Sequence, residues 1–185
     1  IWLHLYNNST LNWTLNDDVP ISITQHTNYP WDGRIDIDIH PQQTIEFSLF
    51  IRIPSWCRSA TVTVAGAEVP TSPGEYLEIR RRWSPGDRVQ IELPMPVELL
   101  VANPMAAETR GSVTIKRGPI VYCFESTDNR DMNIREASLI LPERGEPIFE
   151  EIYQPELLGG VVVLKTRGAV PAEDWGELYH TIDTP

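Results

Sequence analysis

Apolar and polar side chains alternate with a period of two along much of this chain, the signature of strands that bury one face. In the run TIEFSLFIRIPSW from Thr44 to Trp56, Ile45, Phe47, Leu49, Ile51 and Ile53 fall on one side, with Glu46, Ser48 and Arg52 on the other. Pro54 lacks the N–H that a ladder needs, so this strand ends before Trp56. In RIDIDIH, Ile35, Ile37 and Ile39 point inward, and Asp36 and Asp38 point out. The same grammar predicts strands over residues 1–6, 19–27, 34–40, 44–53, 61–64, 68–69, 76–83 and 88–93. Turn chemistry separates them. Asn7-Asn8-Ser9 closes the first, and hairpins are expected at Tyr29-Pro30-Trp31-Asp32-Gly33, at Ala65-Gly66-Ala67 and at Ser84-Pro85-Gly86-Asp87.

Beyond Leu93 the rhythm changes. Pro94, Pro96 and Pro104 bracket the segment VELLVA, which reads as a crossover between two packing units, with a soft boundary near Val97. Strands are predicted over residues 111–116, 119–125, 137–141 and 161–166, with a single turn at 155–158 and Gly159-Gly160 as a bend. The unbroken apolar run from Ile120 to Phe124 predicts a strand buried on both faces. Residues 128–132 read as loop, and 169–185 show no clear pattern. The fold class is therefore all-β, as two consecutive antiparallel, jelly-roll-like sandwiches over residues 1–96 and 97–185.

The length of 185 residues accommodates such cores without staples. Lys and Arg number 15 against 26 Asp and Glu, a formal charge of −11, which disfavours nucleic acid and anionic membrane surfaces as partners. No apolar run approaches the roughly 18 residues of a membrane span. The two cysteines, Cys57 and Cys123, are too few for a disulfide framework or a structural zinc site; each is read as a small buried hydrophobe, with one disulfide left open for an exported protein. A cytoplasmic location is the default expectation, with an upstream signal peptide left open.

Candidate chemistry is sparse. Asp36 and Asp38 share a strand face and could serve calcium or an acid pair, but no neighbouring oxygens complete either site, so a solvated face is the expected reading. His4, His26, His40 and His180 lack the spacing of a zinc site. Trp31 and Trp56, two of six tryptophans, lie at strand ends where a ring could stack on a sugar; packing is the competing reading. In Arg80-Arg81-Arg82, alternation places Arg81 opposite the other two, with salt bridges and a cation–π contact to Trp83 expected. No nucleophile is paired with a base, so no catalytic residue, metal site or cofactor is assigned to this chain.

Several segments, in consistent order, resemble one family: LHLYNNS near the start, the turn from Thr27 to Gly33, FSLFIRIPSW, Gly66, Tyr76 with RRRWSPGD, IELPMP and GSVTIKRGPIVYCFE. Together they are similar to the C-terminal region of glycoside hydrolase family 127, the β-L-arabinofuranosidase family, from residue 1 to about residue 164. The resemblance implies two β-sandwiches packed against an upstream (α/α)6 barrel. That barrel holds the glutamate acid/base, the cysteine nucleophile, and a zinc bound by cysteines and a glutamate. Cys57 and Cys123 do not occupy the family's Cys-Cys motif, so neither takes a role from it. The family's aromatic-rich final strand is expected after Thr184 and is missing, which leaves closure of the second sandwich open. The implied function is non-catalytic support of the barrel of a glycoside hydrolase. A tryptophan-based carbohydrate-binding module and a purely structural or dimerisation domain are the alternatives. The implied partners are the barrel, arabinose-containing glycans and a second copy, paired through the strand at residues 1–6.

Overall fold

The computed structural model describes residues 1–15, 18–141 and 148–171 of the chain. They fall into two compact units, Ile1–Val121 and Tyr122–Pro185.

The first unit is a β-sandwich. Its larger sheet has the order β2 (Ser9–Leu15), β3 (Val19–Thr27), β4 (Arg34–Pro41), β9 (Asp87–Glu92), β6 (Thr61–Val64) and β7 (Ala67–Val69), every neighbouring pair antiparallel. Its smaller sheet has the order β1 (Trp2–Leu3), β5 (Ile45–Arg52) and β8 (Tyr76–Trp83). The β-branched alternation makes the core. Ile35, Ile37 and Ile39 of β4, Leu49 and Ile51 of β5, Val62 of β6, and Val89 and Ile91 of β9 are all sealed from solvent. Each such side chain contributes roughly 1.5–3 kcal/mol by leaving water. Trp83 ends β8 inside this core, donates Nε1 to the Phe47 carbonyl at 3.0 Å and stacks on the Phe47 ring at 5.6 Å. The burial of a large ring is thus combined with a satisfied N–H.

A third sheet, β10 (Val97–Leu100), β11 (Thr114–Arg117) and β12 (Ile120–Tyr122), comes after the sandwich and is antiparallel between β10 and β11. The second unit carries two small ladders. One is a hairpin of β14 (Glu150–Gln154) with β15 (Val161–Lys165), and the other pairs β13 (Ser138–Leu139) with β16 (Gly168–Ala169).

The all-β fold is as the alternation predicts, but the structure adds β14, where no strand was expected, and corrects the expectation elsewhere. The expected strand at 1–6 shrinks to two residues, and these run parallel to β5. Ser9–Leu15, where no strand was expected and Ser9 was read as turn, forms the seven-residue β2. The turn at Ser84–Asp87 closes no hairpin, because β8 and β9 belong to different sheets and the chain crosses the sandwich there. VELLVA is not a bare crossover, since its first four residues form β10. The run Ile120–Phe124 is not buried on both faces: β12 is an edge strand, with Val121 64% and Phe124 41% exposed. The chain's last residues, next to which the family's closing strand is expected, lie outside the described residues.

Candidate functional site

Parts of four segments that carry the family resemblance, LHLYNNS, the turn from Thr27 to Gly33, the end of FSLFIRIPSW and IELPMP, meet at one end of the first sandwich, whereas Gly66 and the Ser84–Asp87 turn lie at the other. Tyr6, just after β1, is buried and donates its hydroxyl to the Arg52 carbonyl at the end of β5. Its ring meets Tyr29 edge-on at 5.8 Å. Burial, with Tyr29 nearby, pushes the Tyr6 phenol above its usual range. Tyr29 is also pushed up by burial, and its hydroxyl is hydrogen-bonded to the side chain of Trp56. Cys57, 1% exposed, directs Sγ at the Pro94 carbonyl, 3.9 Å away. Burial raises its thiol pKa, so the thiolate that a nucleophile or metal ligand needs is disfavoured. This corner is packed and satisfied rather than open.

The turn between β3 and β4 is built from its own side chains. Thr27 Oγ1 donates to the Arg34 carbonyl at 2.6 Å and accepts from the Tyr29 N–H at 3.0 Å. Asp32 Oδ1 accepts from the Arg34 N–H at 2.9 Å. Arg117, at the end of β11, donates Nη1 to the Trp31 carbonyl at 3.0 Å, so the YPWDG and KRGPIVY segments meet. Trp31 and Trp56 are both half-buried, and Trp56 packs against the core. Among the described residues, the widely exposed tryptophans are Trp2 at 51% and Trp13 at 63%.

Asp36 and Asp38 stand in a charge lattice on the outer face of the larger sheet. Asp36 accepts from Gln90 Nε2 at 2.9 Å and Arg34 Nε at 3.0 Å. Burial works against its charge, but these two bonds hold its carboxyl below the usual range. Asp38 accepts from Arg88 Nε at 2.7 Å and lies 3.5 Å from His26. The four oxygens face two arginines, an amide and an imidazole, so the pair is the solvated, paired face of a strand. His4 bonds to the Tyr76 hydroxyl through Nδ1 at 2.6 Å, and His40 lines a shallow groove far along β4. His180 lies outside the described residues. Among the described residues no three His, Cys, Asp or Glu side chains stand together as metal ligands would.

In the basic triplet, Arg80 pairs with Glu46 at 3.0 Å on the outer face. Arg81, on the opposite side, reaches Asp87 at 3.6 Å and lies 5.1 Å over the Trp83 ring, the expected cation–π contact. Cys123 is exposed, not buried, and both cysteines are free. An aromatic cluster that the sequence pattern did not predict lies on the outer face of the smaller sheet. There Trp2 stacks on Phe50 with centroids 4.0 Å apart, and Tyr76 closes on Trp2 edge-on at 4.9 Å. Its signal was Phe50, an aromatic in the polar phase of an otherwise regular strand.

Known proteins match this chain along most of its length. The family model for the β-L-arabinofuranosidase GH127 middle domain matches residues 1–95, and that for the glycoside hydrolase family 127 C-terminal domain matches residues 97–176. The chain belongs to glycoside hydrolase family 127. It is 33% identical over 180 residues to the non-reducing end β-L-arabinofuranosidase of Bifidobacterium longum subsp. longum, covering 89% of this chain and 26% of that protein. The crystal structure of a GH127 β-L-arabinofuranosidase from Geobacillus stearothermophilus T6 superposes with a TM-score of 0.84 at 39% identity, over 98% of this chain and 28% of that one. A second GH127 β-arabinofuranosidase gives 0.79 at 31% identity, over 91% and 28%. The chain thus spans about a quarter of the length of the family 127 relatives it matches. The matched part is the non-catalytic middle and C-terminal region, and the catalytic barrel of family 127 is no part of it. The two family models meet between residues 95 and 97, whereas the compact units meet between Val121 and Tyr122.

Proposed function

We propose that this chain is the supporting β-region of a longer glycoside hydrolase that releases terminal β-L-arabinofuranosyl units, and that its partner is the catalytic barrel of the same polypeptide. The observation that carries this reading is the match to both family 127 domain models in consecutive order, over residues 1–176. The name of the Bifidobacterium relative supports the substrate class. In this reading the zinc and the cysteine and glutamate chemistry belong to the barrel, and this chain supplies neither a nucleophile nor an acid. Its own segments keep a rigid sandwich, with the Tyr6, Tyr29 and Trp56 corner bolted to the end of β5.

An aryl β-L-arabinofuranoside assay tests it with two samples. The 185-residue chain alone should show no turnover, with or without added zinc. A polypeptide joining this segment to a family 127 barrel should turn the substrate over. Activity that co-purifies with the isolated chain, or an inactive but folded joined polypeptide, would sink the proposal.

A further inference from the structure

Among the described residues, strand β2 is a long edge strand without the usual protection. It is the terminal strand of the six-stranded sheet, paired with β3 along seven residues, and no other described strand pairs with it. Strands with free edges template further pairing, and native proteins blunt them with charge, proline, brevity or cover. The other terminal strands of the first unit are blunted. At the far end of the same sheet β7 has three residues, one of them Glu68, and β1, at one edge of the smaller sheet, has two. β8 carries Glu78, Arg80 and Arg82, β10 carries Glu98, and β12 has three residues. β2 reads Ser-Thr-Leu-Asn-Trp-Thr-Leu, without charge or proline, and from Asn7 to Asn16 there is no ionisable side chain in a chain of net charge −11.

The face of β2 is open as well. Leu11 pairs with Ile23 and Trp13 with Ile21, so both point to the core side of the sheet, where Ile21 and Ile23 are buried. Yet Leu11 is 40% and Trp13 63% exposed, because the six-stranded sheet overhangs a facing sheet of only three. Edge and face together form an uncharged, half-apolar strip.

We infer that β2 is a self-pairing edge, and that its occupant is β2 of a second copy of this chain, antiparallel across a two-fold axis at Asn12. In that register Leu11 of each copy faces Trp13 of the other on the core side, and Thr10 faces Thr14 on the outer side. The two sheets join into one, and the apolar strip of each copy covers that of the other. Charge selects this contact. Two copies that repel through carboxylates elsewhere meet on the one long edge strand among the described residues that carries none. A two-fold contact also requires a patch complementary to itself, and the Asn12-centred register provides it. The inference stands independently of the barrel reading.

Sedimentation velocity of the 185-residue chain over a concentration series tests it. The chain should pass from monomer to dimer. The L11E/W13E variant places like charges opposite each other twice and should weaken the dimer about tenfold or more, with its melting temperature and circular dichroism unchanged. L11K/W13E places opposite charges in the same two positions and should dimerise. T10K/T14K makes the like-charge test on the outer face, where both threonines are exposed and the core is untouched, and should remain monomeric. A monomer at every concentration, a dimer indifferent to L11E/W13E and T10K/T14K, or a folded L11K/W13E that fails to dimerise would overturn the inference.

Discussion

Gly33 shows how tightly single positions are constrained around the β3–β4 turn. Its carbonyl accepts from the Leu93 N–H at 2.9 Å, and a Cβ on Gly33 would stand 2.0 Å from the Leu93 carbonyl oxygen. That neighbour is backbone tied to Gly33 itself, so it cannot swing aside. Gly33→Ala should therefore destabilise the fold by about 1–3 kcal/mol, an overpacking cost that a urea melt reads directly. A melt within error of the parent would mean that the turn has slack which the packing does not show. The sequence marked Asp32-Gly33 as a turn, but for a local reason, backbone freedom. The reason found is distant, sixty residues along the chain at Leu93. Cys123 illustrates the same limit from the other direction. Its apolar neighbours suggested burial, and its place beside an edge strand, which no local pattern encodes, left it exposed.

Among the elements, β5 was the most legible, because its alternation is long and its inner face meets a complete sheet. Ile51 is sealed from solvent in the core, whereas Ser48, in the opposite phase, bonds at 2.6 Å to Glu78 on the outer face. Ile51→Ala should cost about 2–5 kcal/mol through lost burial and the cavity left behind. Ser48→Ala should stay within about 0.5 kcal/mol of the parent. Reversal of that order in denaturant melts would mean a register shifted by one residue. β2 alternates just as regularly at Leu11, Trp13 and Leu15, but Asn7-Asn8-Ser9 reads as turn chemistry, and the strand's uncovered face gives a thinner hydrophobic signal. The Ser84–Asp87 turn was legible as a turn and not as a change of sheet. Its bond from the Ser84 N–H to Asp87 Oδ2 at 2.8 Å satisfies the turn locally and carries no information on which sheet the next strand joins. The aromatic cluster of Trp2, Phe50 and Tyr76 was unread for a related reason. It assembles from three strands of one sheet, and only β5 announced its own face.

For the whole molecule the open question is where the first folding unit ends. The family models divide the chain near residue 96, yet several contacts tie residues 97–121 to the sandwich before them. Arg117 reaches the Trp31 carbonyl at 3.0 Å, and Gly118 has a positive φ and lies so close to Met95 that a Cβ would stand 2.9 Å from its Cγ and Sδ. Ile115 and Met95 are both buried. The second unit holds less: its buried hydrophobic side chains among the described residues are Val161 and Val162. Segments with few buried apolar groups open at low free energy, and proteases capture such openings. Limited proteolysis should therefore remove the second unit first and leave a resistant fragment that ends near residue 121, identified by intact mass. A fragment ending near residue 96 would show that β10 to β12 fold with the second unit, and that the contacts of Arg117 and Met95 are too weak to hold the third sheet to the sandwich.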